Sequence, residues 1–401
     1  MAQKVLDGFF DNYLTKESLF SDKKVLQSTY TPEDIPHRSE QIKAIAEILA
    51  PSLKLEKPSN LFIYGKTGSG KTVCVKYTTK SVIEAATKRN IPLDVIYLNC
   101  KLKRVADTEY RLIAQLAREL GQEIPPTGLP TDQVYKLFLD KLDSKNQLII
   151  VILDEIDQLV KRAGDGTLYN LTRINSELKN AQISIIGISN DLTFTDTIDP
   201  RIKSSLSEEE LVFPPYNALQ IQDILHKRKT KAFKEGVLEP GVIEKCAAYA
   251  AREHGDARRA LELLRVAGEI AERKNMPVIS ITHIDDAEEK IERDRILDIV
   301  KTQPKQFQAT LYSILSINDK SKIILTGEVY EYYKTLCEKV ALRPLTQRRV
   351  SDIIAELDML GIINAKVISK GRYGRTREIT LGIPASNQPK VLDILKQDLD
   401  I

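Results

Sequence analysis

Long apolar runs are missing from this chain of 401 residues. No stretch approaches the roughly 20 apolar residues that a membrane-spanning helix needs, and the start, MAQKVLDGFFDNYLTKESLF, lacks such a run too. Cysteine is scarce. Cys74, Cys100, Cys246 and Cys337 lie far apart and form no metal-like pairs, so they read as reduced thiols. Internal repeats and low-complexity tracts are also missing. The expectation is a soluble, cytoplasmic protein with no membrane partner.

Charge bias of the whole molecule is slight, at +3. Its distribution is not. From Arg343 to Arg377 there are eight basic and three acidic residues, net +5, which leaves the remainder at −2. That is a basic patch on a near-neutral body. Hydrophobic residues make up 42% and charged residues 29%, enough apolar content for packed cores and against a disordered chain. The length suggests two or three domains.

Residues 1–30 read as a helix and an extended arm. Between about 40 and 200, short runs rich in Ile, Val and Leu alternate with amphipathic stretches. NLFIYG (60–65), LDVIYLNC (93–100), QLIIVILDEID (147–157) and ISIIGISN (183–190) read as buried strands of a parallel sheet with helices on its faces. VFPPYN (212–217) breaks the pattern. From there to about 299, apolar residues recur at three- and four-residue spacing, which predicts a separate helical domain over 216–299. Thr282 with Asp285 resembles a capping box. The last hundred residues predict helices over 306–317 and 326–341, a third helix in RPLTQRRVSDIIAELDMLGII, and two short strands, AKVIS and REITLGI. Three helices followed by a hairpin is the layout of a winged helix.

The strongest motif is GKTGSGKT, Gly65, Lys66, Thr67, Gly68, Ser69, Gly70, Lys71 and Thr72, followed by Val73. It matches G-x-x-x-x-G-K-[ST], with a strand before it and a helix after it. Its glycines let backbone N–H groups wrap a phosphate, Lys71 supplies charge at the β- and γ-phosphates, and Thr72 offers a hydroxyl to Mg²⁺. Its partner is the apolar run that ends in Asp154 and Glu155. Asp154 suits Mg²⁺ through water, Glu155 suits orientation of an attacking water, and Asp157 suits the N-terminal turn of a helix. In the third C-terminal helix, Val350, Ile353, Ile354 and Leu357 form an inward stripe. Thr346, Gln347, Arg348 and Arg349 then occupy the turns where a recognition helix meets the major groove. At the hairpin tip, KGRYGRTRE, Gly371 and Gly374 allow a tight turn. Lys370, Arg372, Tyr373, Arg375 and Arg377 are candidates for phosphate or minor-groove contact.

A P-loop, then LDEID, then a strand ending in Asn190, then a helical domain containing HGDARRAL, resembles an AAA+ ATPase. With a winged helix behind that lid, residues from about 30 to 385 resemble the archaeal ORC-type initiators, relatives of eukaryotic origin-recognition subunits and of the helicase-loading factor. IPHRSEQI (35–42) resembles the family's motif ahead of the P-loop, with Ser39 where an acid usually stands. The resemblance implies an α/β AAA+ domain over 31–215, a helical lid over 216–299 and a winged-helix domain over 300–401, preceded by an arm over 1–30.

It also implies roles. Asn190 looks like sensor 1. Arg258 looks like the sensor 2 arginine, placed by Gly255 and Asp256 in the first turn of a lid helix, with Arg259 as its rival. Arg201 looks like an arginine finger acting on a neighbouring subunit; a local phosphate or carboxylate partner is the other reading. Asn99 matches a position that restrains the catalytic glutamate, and also suits a strand-end cap. Tyr216 and Arg228 match positions near the nucleotide, where Tyr216 equally suits packing. The insertion over 101–130 makes Lys101, Lys103 and Arg104 candidates for DNA, against a solvated helix face. The function implied is an origin-binding replication initiator, an ATP/ADP switch with Mg²⁺ and slow hydrolysis. Its implied partners are duplex origin DNA, an MCM-type replicative helicase and paralogous initiator subunits, in the cytoplasm at the nucleoid. Two other readings stay open on the residues alone. One is a motor or remodelling ATPase, for which no aromatic pore-loop candidate is found. The other is a signalling ATPase whose winged helix binds protein.

Overall fold

The computed structural model describes residues 17–102, 108–125, 128–194, 198–317, 324–369 and 375–401. Lys103, Arg104, Lys370, Gly371, Arg372, Tyr373 and Gly374 lie outside the described residues. The chain divides into two compact units between Ile284 and Asp285.

In chain order the first unit holds α1 (Ser39–Leu49), β1 (Leu61–Gly65), α2 (Lys71–Thr87), β2 (Leu93–Asn99), α3 (Glu109–Glu119) and α4 (Thr131–Leu142). There follow β3 (Leu148–Asp154), α5 (Ile156–Ala163), α6 (Gly166–Arg173), β4 (Gln182–Ser189), α7 (Pro200–Leu206) and β5 (Glu209–Phe213). The helical part is α8 (Ala218–Ala232), α9 (Val242–Arg252), α10 (Ala257–Arg273) and the start of α11 (Ile281–Thr302). The boundary expected at 299/300 falls inside α11.

The five strands form one parallel sheet in the order β2-β3-β4-β1-β5. Strand β3 is buried along its whole length because helices cover both faces. Ile149, Val151 and Leu153 enter one apolar cluster, while Leu148, Ile150 and Ile152 enter the other, as a two-residue period requires. Beyond the four expected strands there is a fifth, β5. Its sequence EELVF hid it, since two leading glutamates do not read as a buried strand. It tolerates them because it pairs on one side only, with β1, and Glu209 and Glu210 are exposed at the sheet edge. The helix in the 101–130 stretch, α3, buries Leu112, Ile113, Leu116 and Ala117 in the core.

Residues 17–36 form a strap on the helical part. Its one helical turn, Lys23–Leu26, is capped by Asp22. Phe20 stacks on Phe233 with ring centroids 4.8 Å apart, and Glu272 accepts from Leu19 N–H at 2.8 Å. Helix α11 starts at Ile281, so Thr282 is already helical. Ser280 precedes it, its N–H donating to His283 Nδ1 at 3.0 Å in the return bond of a cap.

The second unit contains the rest of α11, then α12 (Lys305–Ile317), β6 (Ile324–Leu325), α13 (Thr326–Lys339), α14 (Gln347–Met359), β7 (Ile363–Ser369), β8 (Arg375–Leu381) and α15 (Gln388–Leu399). Its antiparallel sheet runs β6-β8-β7. The stripe of Val350, Ile353, Ile354 and Leu357 is buried in the unit's core. Two elements were not anticipated. The two-residue β6 is too short to leave a period. Helix α15 packs against α12 and contributes Val391, Leu395 and Leu399 to the same core.

Candidate functional site

The parallel sheet brings the carboxyl ends of β1, β3 and β4 to one edge, where open α/β sheets hold ligands. The order reverses at β1, and there the chain turns through the P-loop into α2. A cleft of about 760 Å³ opens above it, between the sheet edge, the strap and the helical part. That volume is in the range of small-molecule and cofactor sites, roughly 300–1,000 Å³.

The P-loop is held by its own side chains. Lys71 Nζ donates to Gly65 O at 2.7 Å, to Lys66 O at 2.8 Å and to Asn190 Oδ1 at 2.9 Å. Ser69 Oγ also donates to Lys66 O, at 2.8 Å. Lys66 and Thr67 are exposed on the loop, and Val73 lines the cleft one turn into α2. Burial, and then the nearby Arg258 charge, push the Lys71 pKa down to about 8.

Thr72 Oγ1 donates to Asp154 Oδ2 at 2.9 Å, and Tyr97 Oη donates to the same oxygen at 2.7 Å. Burial, with Asp154 accepting its hydrogen bond, raises the Tyr97 pKa. Glu155 follows Asp154 with φ 56° and ψ 46°, a left-handed conformation rare for a side chain of this size. Lys101 Nζ lies 3.9 Å from its carboxylate. Asn99 Oδ1 accepts from Lys101 N–H at 2.9 Å, so its carbonyl oxygen caps the end of β2. Asp157 is buried in the first turn of α5 and accepts from Ser189 Oγ at 3.1 Å.

From the helical part, Arg258 and Arg228 line the cleft. Arg259 instead pairs with Glu253 at 3.2 Å. Arg228 Nη1 donates to Val25 O at 3.1 Å, and its guanidinium lies 4.5 Å from the Tyr30 ring. Burial lowers its pKa. Tyr216 is buried at the hinge and lines the cleft, and burial pushes its pKa up to about 12. Asp256 caps α10, accepting Arg258 N–H at 2.8 Å.

Arg201 sits elsewhere. It is exposed on α7 and makes a bidentate pair with Asp199 at 3.1 and 2.9 Å. Within this chain it has the local carboxylate partner.

In the second unit, Thr346, Gln347, Arg348 and Arg349 are all exposed at the start of α14. Thr346 Oγ1 caps the helix by accepting Arg349 N–H at 3.4 Å. Arg349 also lies 3.9 Å from Asp352 and 3.7 Å from Glu356. Arg377 is half-buried on β8, and its N–H donates to Thr326 Oγ1 at 3.2 Å. Arg375 begins that strand.

Tyr97 and Arg38 of the first site escaped the motif reading, which has Asp256 only as the start of the lid helix. Tyr97 reaches Asp154 across the β2–β3 register. Asp256 reaches Gly68. Arg38 is buried beneath the P-loop with its guanidinium over the Tyr216 ring at 3.9 Å. Only the HRS of IPHRSEQI, next to the motif resemblance, pointed toward Arg38.

Residues 55–193 match the family described as AAA domain. Residues 222–289 match the Cdc6 AAA+ ATPase-type lid domain, and residues 298–388 match the CDC6, C terminal winged helix domain. The chain is 52% identical to the ORC1-type DNA replication protein of Thermococcus onnurineus, over 99% of this chain and 96% of that one. It is 55% identical to the same-named protein of Pyrococcus abyssi, over 94% and 91%. It resembles the solved structure of the Aeropyrum pernix ORC1 protein in complex with DNA with a TM-score of 0.86 and 44% identity, over 96% and 98%. Among the described residues no helix is long and apolar enough to cross a membrane. Identity at this level over nearly the whole length is far more than a shared fold requires, and the chain belongs to the ORC1-type DNA replication proteins.

Proposed function

We propose that this replication protein is an ATP-controlled initiator that binds duplex origin DNA and helps bring an MCM-type replicative helicase. The observation that carries this reading is the convergence at one cleft of Lys71, Asn190 and the Thr72–Asp154 pair with Arg258 of the lid. Lys71 and the P-loop N–H groups hold the phosphates. Asn190 and Arg258 read the γ-phosphate, and Tyr216 and Arg228 shape the nucleotide side of the cleft. The oxygens of Thr72 and Asp154, 2.9 Å apart, are hard donors that suit Mg²⁺, which supplies charge stabilisation to the phosphate oxygens when bound. Glu155 orients a water for attack on the γ-phosphorus and takes its proton, as the bond to the ADP oxygen breaks. Arg201 completes the site of a neighbouring copy or paralogue after leaving Asp199. Hydrolysis is slow because a switch holds its state.

The basic start of α14 and the hairpin tip are the DNA surface. Arg348 reads bases in the major groove, while Arg372 and Arg375 contact phosphate or the minor groove. The Aeropyrum pernix relative in complex with DNA supports this reading. The test is fluorescence anisotropy on origin-derived and scrambled duplexes across a salt series. Arg372→Ala with Arg375→Ala is expected to weaken every duplex and to lower the slope of log affinity against log salt by about 2. Arg348→Ala is expected to weaken the preferred duplex more than the scrambled one. Unchanged affinity and slope in a folded double variant would remove the hairpin from the DNA surface.

A further inference from the structure

Arg38 is 2% exposed and lies directly before α1. Its Nε donates to Ser69 O at 2.9 Å, Nη1 to His37 O at 3.2 Å and Nη2 to Pro214 O at 2.5 Å. None of these acceptors is a carboxylate. A buried guanidinium aimed at peptide carbonyls fixes backbone direction, because its donors form a rigid planar fork.

The Ser69 carbonyl belongs to the peptide that carries the Gly70 N–H. In a trans peptide the C=O and N–H point in opposite directions, and the described chain has no cis bond. Holding the oxygen on the Arg38 side therefore turns the Gly70 N–H the other way. The same guanidinium lies 3.9 Å from the Tyr216 ring centroid and 5.6 Å from that of Phe213. Gly70 makes the close approach possible. With φ 95°, a β-carbon there would lie 2.8 Å from Tyr216 Oη and 3.6 Å from Arg38 Nε. Next to Arg38, His37 has φ 61° and its Nε2 lies 2.9 Å from Asp223 on α8.

We propose that Arg38 is a positioning residue for the phosphate cradle. It aims the Gly70 N–H at the phosphates through the Ser69 carbonyl, and it ties that peptide to the lid hinge through Pro214 and Tyr216. A shift of the hinge then turns a phosphate-binding N–H, so lid position and phosphate occupancy are linked through one side chain. This rests on the P-loop being a nucleotide site. Failure of the wild-type chain to bind ADP would sink that reading first, before any variant is compared.

The test uses the full chain with Arg38→Met and Arg38→Lys. ADP affinity is measured by titration, and amide hydrogen exchange is measured at saturating ADP. Arg38→Met is expected to lose about ten-fold in ADP affinity, and Arg38→Lys, which keeps charge and one donor direction, to fall between it and wild type. At saturation, ADP protection of peptide 65–72 is expected to drop while protection of peptide 25–36, on the strap side of the cleft, persists. If Arg38→Met does not fold by circular dichroism, Arg38→Lys carries the same two readouts. Affinity within about two-fold of wild type, or protection lost equally from both peptides, overturns the proposal.

Discussion

Asp256 of the lid rests on Gly68 of the P-loop, where a β-carbon would lie 1.7 Å from the carboxylate Oδ1. That oxygen also accepts the N–H of Arg258 at 2.8 Å and of Arg259 at 3.3 Å. One carboxylate thus caps the lid helix and touches the phosphate loop. Gly68 has φ 68°, which disfavours any side chain there. Gly68→Ala is therefore expected to displace α10 or the loop and to weaken ADP binding by about ten-fold or more. Asp256→Ala in the same chain removes the Oδ1 and Cγ clashes but leaves the Asp256 Cα 2.8 Å away, so it is expected to recover only part of the loss. Calorimetric titration of single and double variants checks this, and wild-type affinity in Gly68→Ala would refute it.

Glu155 combines a predicted catalytic role with a left-handed backbone. Glu155→Gln is expected to retain ATP yet fail to release phosphate, since the amide cannot take the proton of the attacking water. Lys71→Ala is expected to abolish binding itself. Glu155→Gly, by contrast, is expected to raise stability by about 1 kcal/mol, the usual penalty of this conformation for a residue with a β-carbon. Filter retention of labelled ATP, a phosphate-release assay and urea unfolding separate the three outcomes. Normal hydrolysis by Glu155→Gln would end its assignment.

Lys71 has a pKa of about 8 in the folded chain against 10.5 for an ordinary lysine. Two opposite pH trends follow. On the nucleotide reading proposed above, the ammonium assigned to the phosphates is lost above about pH 8, so ATP affinity is expected to fall from there upward. Stability of the nucleotide-free chain moves the other way. Between the folded and unfolded values the unfolded chain binds the extra proton, so stability rises with pH across that window. Relative to Lys71→Met, wild type is expected to gain up to about 3 kcal/mol as pH passes through it. Urea unfolding of both chains at several pH values checks the sign.

In the second unit, Tyr333 is fully buried, yet its Oη accepts Leu345 N–H at 3.1 Å and donates to Gln306 Oε1. Gln306 Nε2 in turn donates to Arg343 O at 3.0 Å, and Tyr330 Oη donates to Leu345 O at 3.2 Å. These bonds clamp the turn that leads into Thr346 and α14. Tyr333→Phe is expected to cost about 1–3 kcal/mol, because it leaves the Leu345 N–H without that acceptor. On the DNA reading it also reduces the preference for an origin duplex over a scrambled one. Urea unfolding and paired anisotropy titrations measure the two effects, and an unchanged preference would confine Tyr333 to stability.

What the chain order alone determined is what local spacing encodes. The P-loop, the apolar run into Asp154 and Glu155, four of the five strands, the lid helices and the inward stripe of α14 each lie within one short segment. Strand and helix periods declare which face is buried, and motif spacing marks the backbone proposed to meet phosphate. The tertiary structure decided everything that joins distant segments. Arg38 and Pro214 are 176 residues apart, and Tyr97 and Asp154 are 57 apart. Neither pair leaves a period or motif, because a guanidinium aimed at a carbonyl makes no demand on the residue type that carries that carbonyl. Strand β5 and helix α15 escaped for a related reason. An edge strand needs only one paired side and a packing helix needs only three buried side chains, so both became visible once their neighbours were in place.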